Sequence, residues 1–165
     1  MATTYEAIQT TTLGSASALI TFSSIPATYT DLILVLDSIQ SAAPAKWCTV
    51  QFNSDTGSNY SWTVLAGNGT TASSGRYAYT YLPIGVNTST NASRQAVITS
   101  IMNYSNTTTY KTLLSRANNA SLYVEAIVGL WQNTSAINRI DVSLEFGAQT
   151  FAVGSTFTLY GILAA

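Results

Sequence analysis

The chain has 165 residues, of which 47% are hydrophobic and only 8% are charged, and its formal net charge is −1. This length suits one domain with a real core, and the six basic residues form none of the runs that nucleic-acid binding requires. With no histidine and one cysteine, the sequence excludes Ser-His-Asp and Cys-His catalysis and an intrachain disulfide.

The first eighteen residues are rich in threonine and alanine, and their large apolar side chains after Met1 are Tyr5, Ile8 and Leu13. This segment is either a first strand or an extended arm that reaches a neighbouring subunit. It lacks the basic start and apolar run of a secretory signal, and the longest apolar run, LILVL at 32–36, is too short to cross a bilayer. We therefore expect synthesis in a host cytoplasm and no membrane partner.

Two segments before residue 53 have strand patterns. The run DLILVLDSI at 31–39 is typical of a strand that is covered on both faces or lies in the middle of a sandwich. Residues 46–52 alternate, with Cys48, Val50 and Phe52 facing inward. We expect Cys48 to be a small buried hydrophobe and not a reactive thiol.

The segment NSDTGSN at 53–59 is a dense cluster of turn residues. Asn53, Asp55 and Asn59 offer oxygens to calcium, but calcium sites gather several carboxylates and this segment has one. A structural Asx turn explains the same residues, and we favour that interpretation. We expect no metal site and no cofactor.

Three tyrosines follow at every second position. Tyr77, Tyr79 and Tyr81 therefore share one face of a predicted strand, between two predicted polar loops at 66–75 and 83–93. These rings complete the core, pack against another subunit or bind sugar rings. We favour packing in the core or against a subunit, and the other alternative stays open.

The second half of the chain continues the strand pattern. Residues 94–104 and 109–116 are expected to form a hairpin, and 122–131 is apolar on both faces, which predicts a central strand.

The end of the chain, from residue 137 onward, predicts two strands joined by a loop. In the first strand Ile140, Val142, Leu144 and Phe146 lie on one face, and polar or charged residues lie on the other. The second strand is TFTLYGIL. We expect the two strands to pair with each other in one antiparallel sheet.

These segments together predict an all-β protein with roughly eight to ten antiparallel strands and negligible helix, as one domain over residues 1–165. That number of strands in two sheets is typical of a β-sandwich of jelly-roll type.

A glycosidase-like pairing of Glu125 with Asp141 or Glu145 stays open, but solvated or interfacial positions explain these carboxylates equally well, and we favour them. We expect no catalytic residue and therefore no enzyme.

Four segments carry a resemblance that runs over nearly the whole chain: MATTYEAI, IPATYTDLILVL, FNSDTGSNYSW and GSTFTLYGI. With these the chain resembles a group of small virion proteins of tailed bacteriophages, and FNSDTGSNYSW and GSTFTLYGI are the specific parts. The resemblance implies a β-sandwich or jelly-roll structural protein, found as a capsid decoration (cement) protein or as a part of a tail fibre.

The resemblance and the composition lead to a first hypothesis, a decoration protein on the capsid surface of the virion. Its partners would be the major capsid protein and copies of itself, as a homo-oligomer that we expect to be a trimer. The N-terminal residues Tyr5, Ile8 and Leu13 would contact a neighbouring subunit. The alternative is a receptor-binding module of a tail fibre or spike, in which Tyr77, Tyr79 and Tyr81 would contact a glycan.

Overall fold

The computed structural model describes residues 4–145 and 147–163. Within these ranges the alternating residues form twelve β-strands, and no helix there is long and apolar enough to span a bilayer. In chain order the strands are β1 (Tyr5–Thr12), β2 (Leu19–Phe22), β3 (Asp31–Ser38), β4 (Cys48–Phe52), β5 (Tyr60–Gly67), β6 (Ala72–Tyr79), β7 (Leu82–Gly85), β8 (Gln95–Met102), β9 (Lys111–Asn119), β10 (Tyr123–Trp131), β11 (Ile140–Leu144) and β12 (Thr156–Ile162).

The strands form two antiparallel sheets. The large sheet has the order β1-β12-β3-β8-β9-β10-β5-β6, and the small sheet has the order β2-β11-β4-β7. From β2 onward the chain changes sheets repeatedly, while β5-β6 and β8-β9-β10 are consecutive strands within the large sheet. The prediction of an all-β antiparallel sandwich is confirmed, and the jelly-roll type stays a prediction. The described residues form twelve strands, more than the eight to ten that were predicted.

Two of the described strands lie in segments that were predicted to be polar loops. β6 begins at Ala72, inside the predicted loop 66–75, and β7 overlaps the start of the predicted loop 83–93. Those two loop predictions are wrong over these residues. β6 is an edge strand that pairs only with β5, so its small polar residues are held by backbone hydrogen bonds without burial of apolar side chains.

The two strands at the end of the chain do not pair with each other, so that prediction is wrong. β11 lies between β2 and β4 in the small sheet, and β12 lies between β1 and β3 in the large sheet. Val142 and Leu144 on β11 and Phe157 and Leu159 on β12 are all buried. Alternating apolar residues are buried equally well when the two strands lie in opposite sheets and their apolar faces meet across the core. Phe146, which was expected on the first of these strands, lies outside the described residues.

The core fills the space between the inner faces of the two sheets. Phe52 and Tyr60 both contact the ring of Trp131, with centroid separations of 5.5 and 6.3 Å, and all three side chains are fully buried. Cys48 is also fully buried, and its burial raises the pKa of the thiol to about 12. The prediction that Cys48 is a buried hydrophobe is confirmed.

Candidate functional site

The outer face of the large sheet is open to solvent and carries exposed aliphatic side chains among small polar ones. The apolar run of β3 favoured a strand covered on both faces or in the middle of a sandwich, and β3 does lie in the interior of the sheet. However, Ile33 and Val35 on its outer face are only half-buried. On β10, Ile127 is fully buried, whereas Val124 and Val128 are 65% and 46% exposed. Within the described chain, coverage of β3 on both faces is therefore not observed.

The strand registers place the outward side chains in rows across the sheet. One row passes through Val35, Ile98, Arg116, Ala126 and Leu65 on β3, β8, β9, β10 and β5. We call this surface the outer sheet face. Its larger aliphatic side chains are Ile33, Val35, Leu65, Ile98, Met102, Leu114, Val124, Val128 and Leu130.

One cation, Arg116, stands in the middle of the outer sheet face. No ion pair between described residues includes it, whereas Asp37 at the rim of the face pairs with Arg94 at 2.8 Å. A groove of about 570 Å³ runs beside Arg116 and is lined by Leu65 and Val124. A complementary surface would therefore be apolar, with an acidic or carbonyl group opposite Arg116.

The dimensions of the outer sheet face match those of a protein interface. Strands about 4.8 Å apart that rise about 3.3 Å per residue make a face of eight strands roughly 34 Å wide and 26 Å long, or about 900 Å². A standard interface buries about 800 Å² on each partner. Clusters of exposed aliphatic side chains within such a face are typical of interaction surfaces.

An aromatic cluster occupies the opposite side of the same sheet, at the β5-β6 edge. The structure brings the predicted tyrosines together: Tyr79 and Tyr81 have ring centroids 4.9 Å apart, and Tyr77 lies 4.5 Å from Trp62. Trp47 joins the two pairs, 5.5 Å from Trp62 and 6.1 Å from Tyr79. Burial raises the pKa of Tyr81 to about 12. Tyr77 and Tyr79 stay 47% and 43% exposed, so these two rings are not core residues.

A cleft of about 330 Å³ opens beside the aromatic cluster. Trp47, Trp62 and Tyr77 line it together with Ser73 on β6 and Asn87 in the segment after β7. Asn87 was not among the predicted site residues. Trp47 and Asn87 reach the cleft from segments that are distant along the chain, so no local pattern links them to the tyrosines.

A buried carboxylate supports one wall of this cleft. Glu125 accepts hydrogen bonds from the backbone N–H groups of Val86 and Asn87 at 2.7 and 2.9 Å, and from Asn87 Nδ2 at 2.7 Å. Asp141 and Glu145 instead form ion pairs with basic side chains. Each of the three carboxylates therefore has its own partners, and Glu125 fixes the backbone at residues 86–87 by accepting its N–H groups.

The predicted N-terminal contact residues have different environments. Of the two alternatives for residues 1–18, the described part shows the first strand, because β1 pairs with β12 at the edge of the large sheet. Tyr5 is 55% exposed, Ile8 is half-buried against the core, and Leu13 is buried. In the intact fold Tyr5 is therefore accessible to a partner, and Leu13 belongs to the core.

The segment 53–59 forms an Asx turn that is joined to the core. The Asp55 carboxylate accepts hydrogen bonds from the Gly57 N–H at 2.8 Å, Asn59 Nδ2 at 2.9 Å and Trp131 Nε1 at 2.8 Å. Burial by itself would raise the pKa of Asp55, but these hydrogen bonds bring it below its ordinary value. The prediction of a structural turn is confirmed. The described residues contain no group of three or more acidic or cysteine side chains that could hold a metal.

Comparisons with known proteins add little to this geometry. No protein-family model matches the sequence, and no curated protein matches it. A solved structure of a protein of unknown function from Shewanella oneidensis MR-1 is 8% identical, with 98% of this chain and 77% of that one covered, at a TM-score of 0.21. A likeness at that score carries no argument about fold or function.

Proposed function

We propose that the protein is a structural component of a bacteriophage virion, a decoration protein that binds the assembled capsid and stabilises the shell. The outer sheet face is the observation that carries the proposal. A chain of this size with an open face of about 900 Å², on which exposed aliphatic side chains alternate with small polar ones, is suited to packing against another protein. The resemblance of the sequence to small phage virion proteins supports a capsid as the place where that packing occurs.

The major capsid protein is the occupant that we propose for the outer sheet face. Aliphatic side chains contribute binding energy when they leave water, and of the two arginines on the face only Arg116 is central, since Arg76 lies on the edge strand β6. Because the protein would bind only the assembled shell, its binding shifts the equilibrium away from disassembly. At a free concentration of about 100 Kd the shift is about 2.7 kcal/mol per site.

Self-association is the second part of the proposal. β1 and β6 are the two edge strands of the large sheet, and both present exposed residues. An edge strand offers unpaired backbone groups to another chain. Contacts from the β6 edge of one copy to the β1 edge of the next are head-to-tail, and such contacts close into a ring when the rotation allows, here a trimer.

The copy number per virion tests this proposal. Quantitative mass spectrometry of purified virions, calibrated against the major capsid protein, should find on the order of hundreds of copies, as expected for a protein that follows the symmetry of the shell. About a dozen copies would place the protein in the tail instead and would refute the decoration role.

A receptor-binding module of a tail fibre or spike is the second candidate. The observation that favours it is the partial exposure of Tyr77 and Tyr79, since aromatic rings that are open on one face are suited to binding sugars. A low copy number together with localisation to the tail tip would support this candidate over the first.

A further inference from the structure

We propose that the cleft beside the aromatic cluster binds an uncharged sugar. The cleft lies on the side of the β5-β6 edge opposite the outer sheet face, so the inference is independent of the proposed capsid contact. Its volume of about 330 Å³ falls at the small end of the range for ligand sites, about 300–1,000 Å³. Aromatic walls with a few polar groups are the usual lining of such sites.

The aromatic walls are held rigidly. Tyr77 packs against Trp62 with an interplanar angle of 30°, and Trp47 meets Trp62 edge-on at 83°. The Tyr77 ring also lies over Gly75, where an added Cβ would come within 2.6 Å of it. Tyr77 therefore keeps its position while one side stays open to solvent. A pyranose ring has an apolar face of C–H groups that stacks on such an aromatic face.

The cleft also offers polar groups to a ligand. Trp62 contributes only its ring, because its Nε1 is enclosed and, among the described residues, has no hydrogen-bond partner. The Asn87 amide is oriented by its Nδ2 hydrogen bond to Glu125, which leaves Oδ1 as an acceptor. The Ser73 hydroxyl lies on the same lining. Sugar hydroxyls donate and accept hydrogen bonds, so one ligand can satisfy groups of both kinds.

The charges around the cleft favour a neutral ligand. The side chains that line it are uncharged. The Glu125 carboxylate, which holds Asn87, is buried and engaged by three donors. An anionic sugar would therefore meet a buried negative charge with no cation on the lining to offset it.

The test is a titration of the full chain with neutral oligosaccharides of glucose, galactose and N-acetylglucosamine, followed by tryptophan fluorescence and calorimetry. We expect saturable binding of at least one of them with a Kd below about 1 mM. Tyr77→Ala should weaken that binding at least tenfold. Tyr110→Ala, which removes a tyrosine that is 55% exposed and does not line the cleft, should leave it unchanged.

A second variant separates binding from folding. Ser73→Ala removes a hydroxyl that lines the cleft on an exposed strand, so it should weaken binding about fivefold with no loss of thermal stability. Failure of all the neutral oligosaccharides to saturate the protein would overturn the proposal. Equal affinities of wild type and Ser73→Ala, or of folded Tyr77→Ala and Tyr110→Ala, would overturn it as well. Tighter binding of a sialylated oligosaccharide would contradict the assignment to an uncharged sugar.

Discussion

Replacing Val124 with aspartate tests whether a partner covers the outer sheet face. In the isolated chain Val124 is 65% exposed, so the substitution should change the free energy of unfolding by no more than about 0.5 kcal/mol. If a partner covers the face, the exposed two thirds of the Val124 side chain is buried on binding and contributes about 1–2 kcal/mol to the binding free energy. The substitution removes that contribution. The new carboxylate must also leave water, and although its diagonal neighbour Arg116 can pair with it, the desolvation adds about 1–2 kcal/mol. The sum, about 2–4 kcal/mol, corresponds to an affinity about thirtyfold to a thousandfold lower.

The chain offers a matched control for this substitution. Val153 is 60% exposed and lies before β12, away from the outer sheet face, so Val153→Asp makes the same chemical change at a similar exposure. Binding should be measured by co-sedimentation with capsids of the cognate phage assembled without this protein, and folding by urea titration. If Val124→Asp and Val153→Asp bind capsids equally well, the outer sheet face is not the contact surface and the reasoning fails.

Three further predictions concern the fold. Asp55→Ala leaves a fully buried indole N–H unpaired and should cost about 2–3 kcal/mol in urea unfolding, against less than about 1 kcal/mol for Asp37→Ala, whose ion pair is exposed. The folded-state pKa of Asp55 lies below the ordinary 3.8, so the stability that its carboxylate contributes is present above pH 3.8 and is lost as the pH falls through the folded-state pKa. The free energies of unfolding of wild type and Asp55→Ala should therefore become equal in acid. The thiol of Cys48, with its pKa near 12, should react with iodoacetamide at about pH 8 only after unfolding, and equal rates with and without urea would contradict its burial. Gly161→Ala places a methyl group against the ring of Tyr29 and should destabilise the protein by about 1–3 kcal/mol, whereas wild-type stability would show that the ring can shift freely.

The local pattern of the sequence was enough to predict most strands, but not their partners. Residues 46–52 alternate along a single strand, and that alternation depends only on which side of the backbone each side chain lies. Pairing depends on segments far apart in the chain. β11 and β12 are neighbours in sequence, yet each joins a different sheet, and both arrangements bury the same side chains. The first half of the edge strand β6, residues 72–75, was predicted as loop because its small polar residues carry no apolar pattern.

The candidate sites show the same division. The spacing of Tyr77, Tyr79 and Tyr81 predicted a shared face, and the three rings do meet in one cluster. The addition of Trp47 and Asn87, which complete the cleft, required the packing of the small sheet against the large one. No pattern within one segment could show that contact.

The sequence by itself determined that this is a β-protein with little charge, with apolar residues on both sides of its central strands. Only the tertiary structure decided which of those sides is covered. The reason is geometric: four strands in the small sheet are enough to bury the inner face of the large sheet around its centre, and the described chain has no third layer for the other face. The aliphatic side chains that the core does not use are therefore left on an open surface.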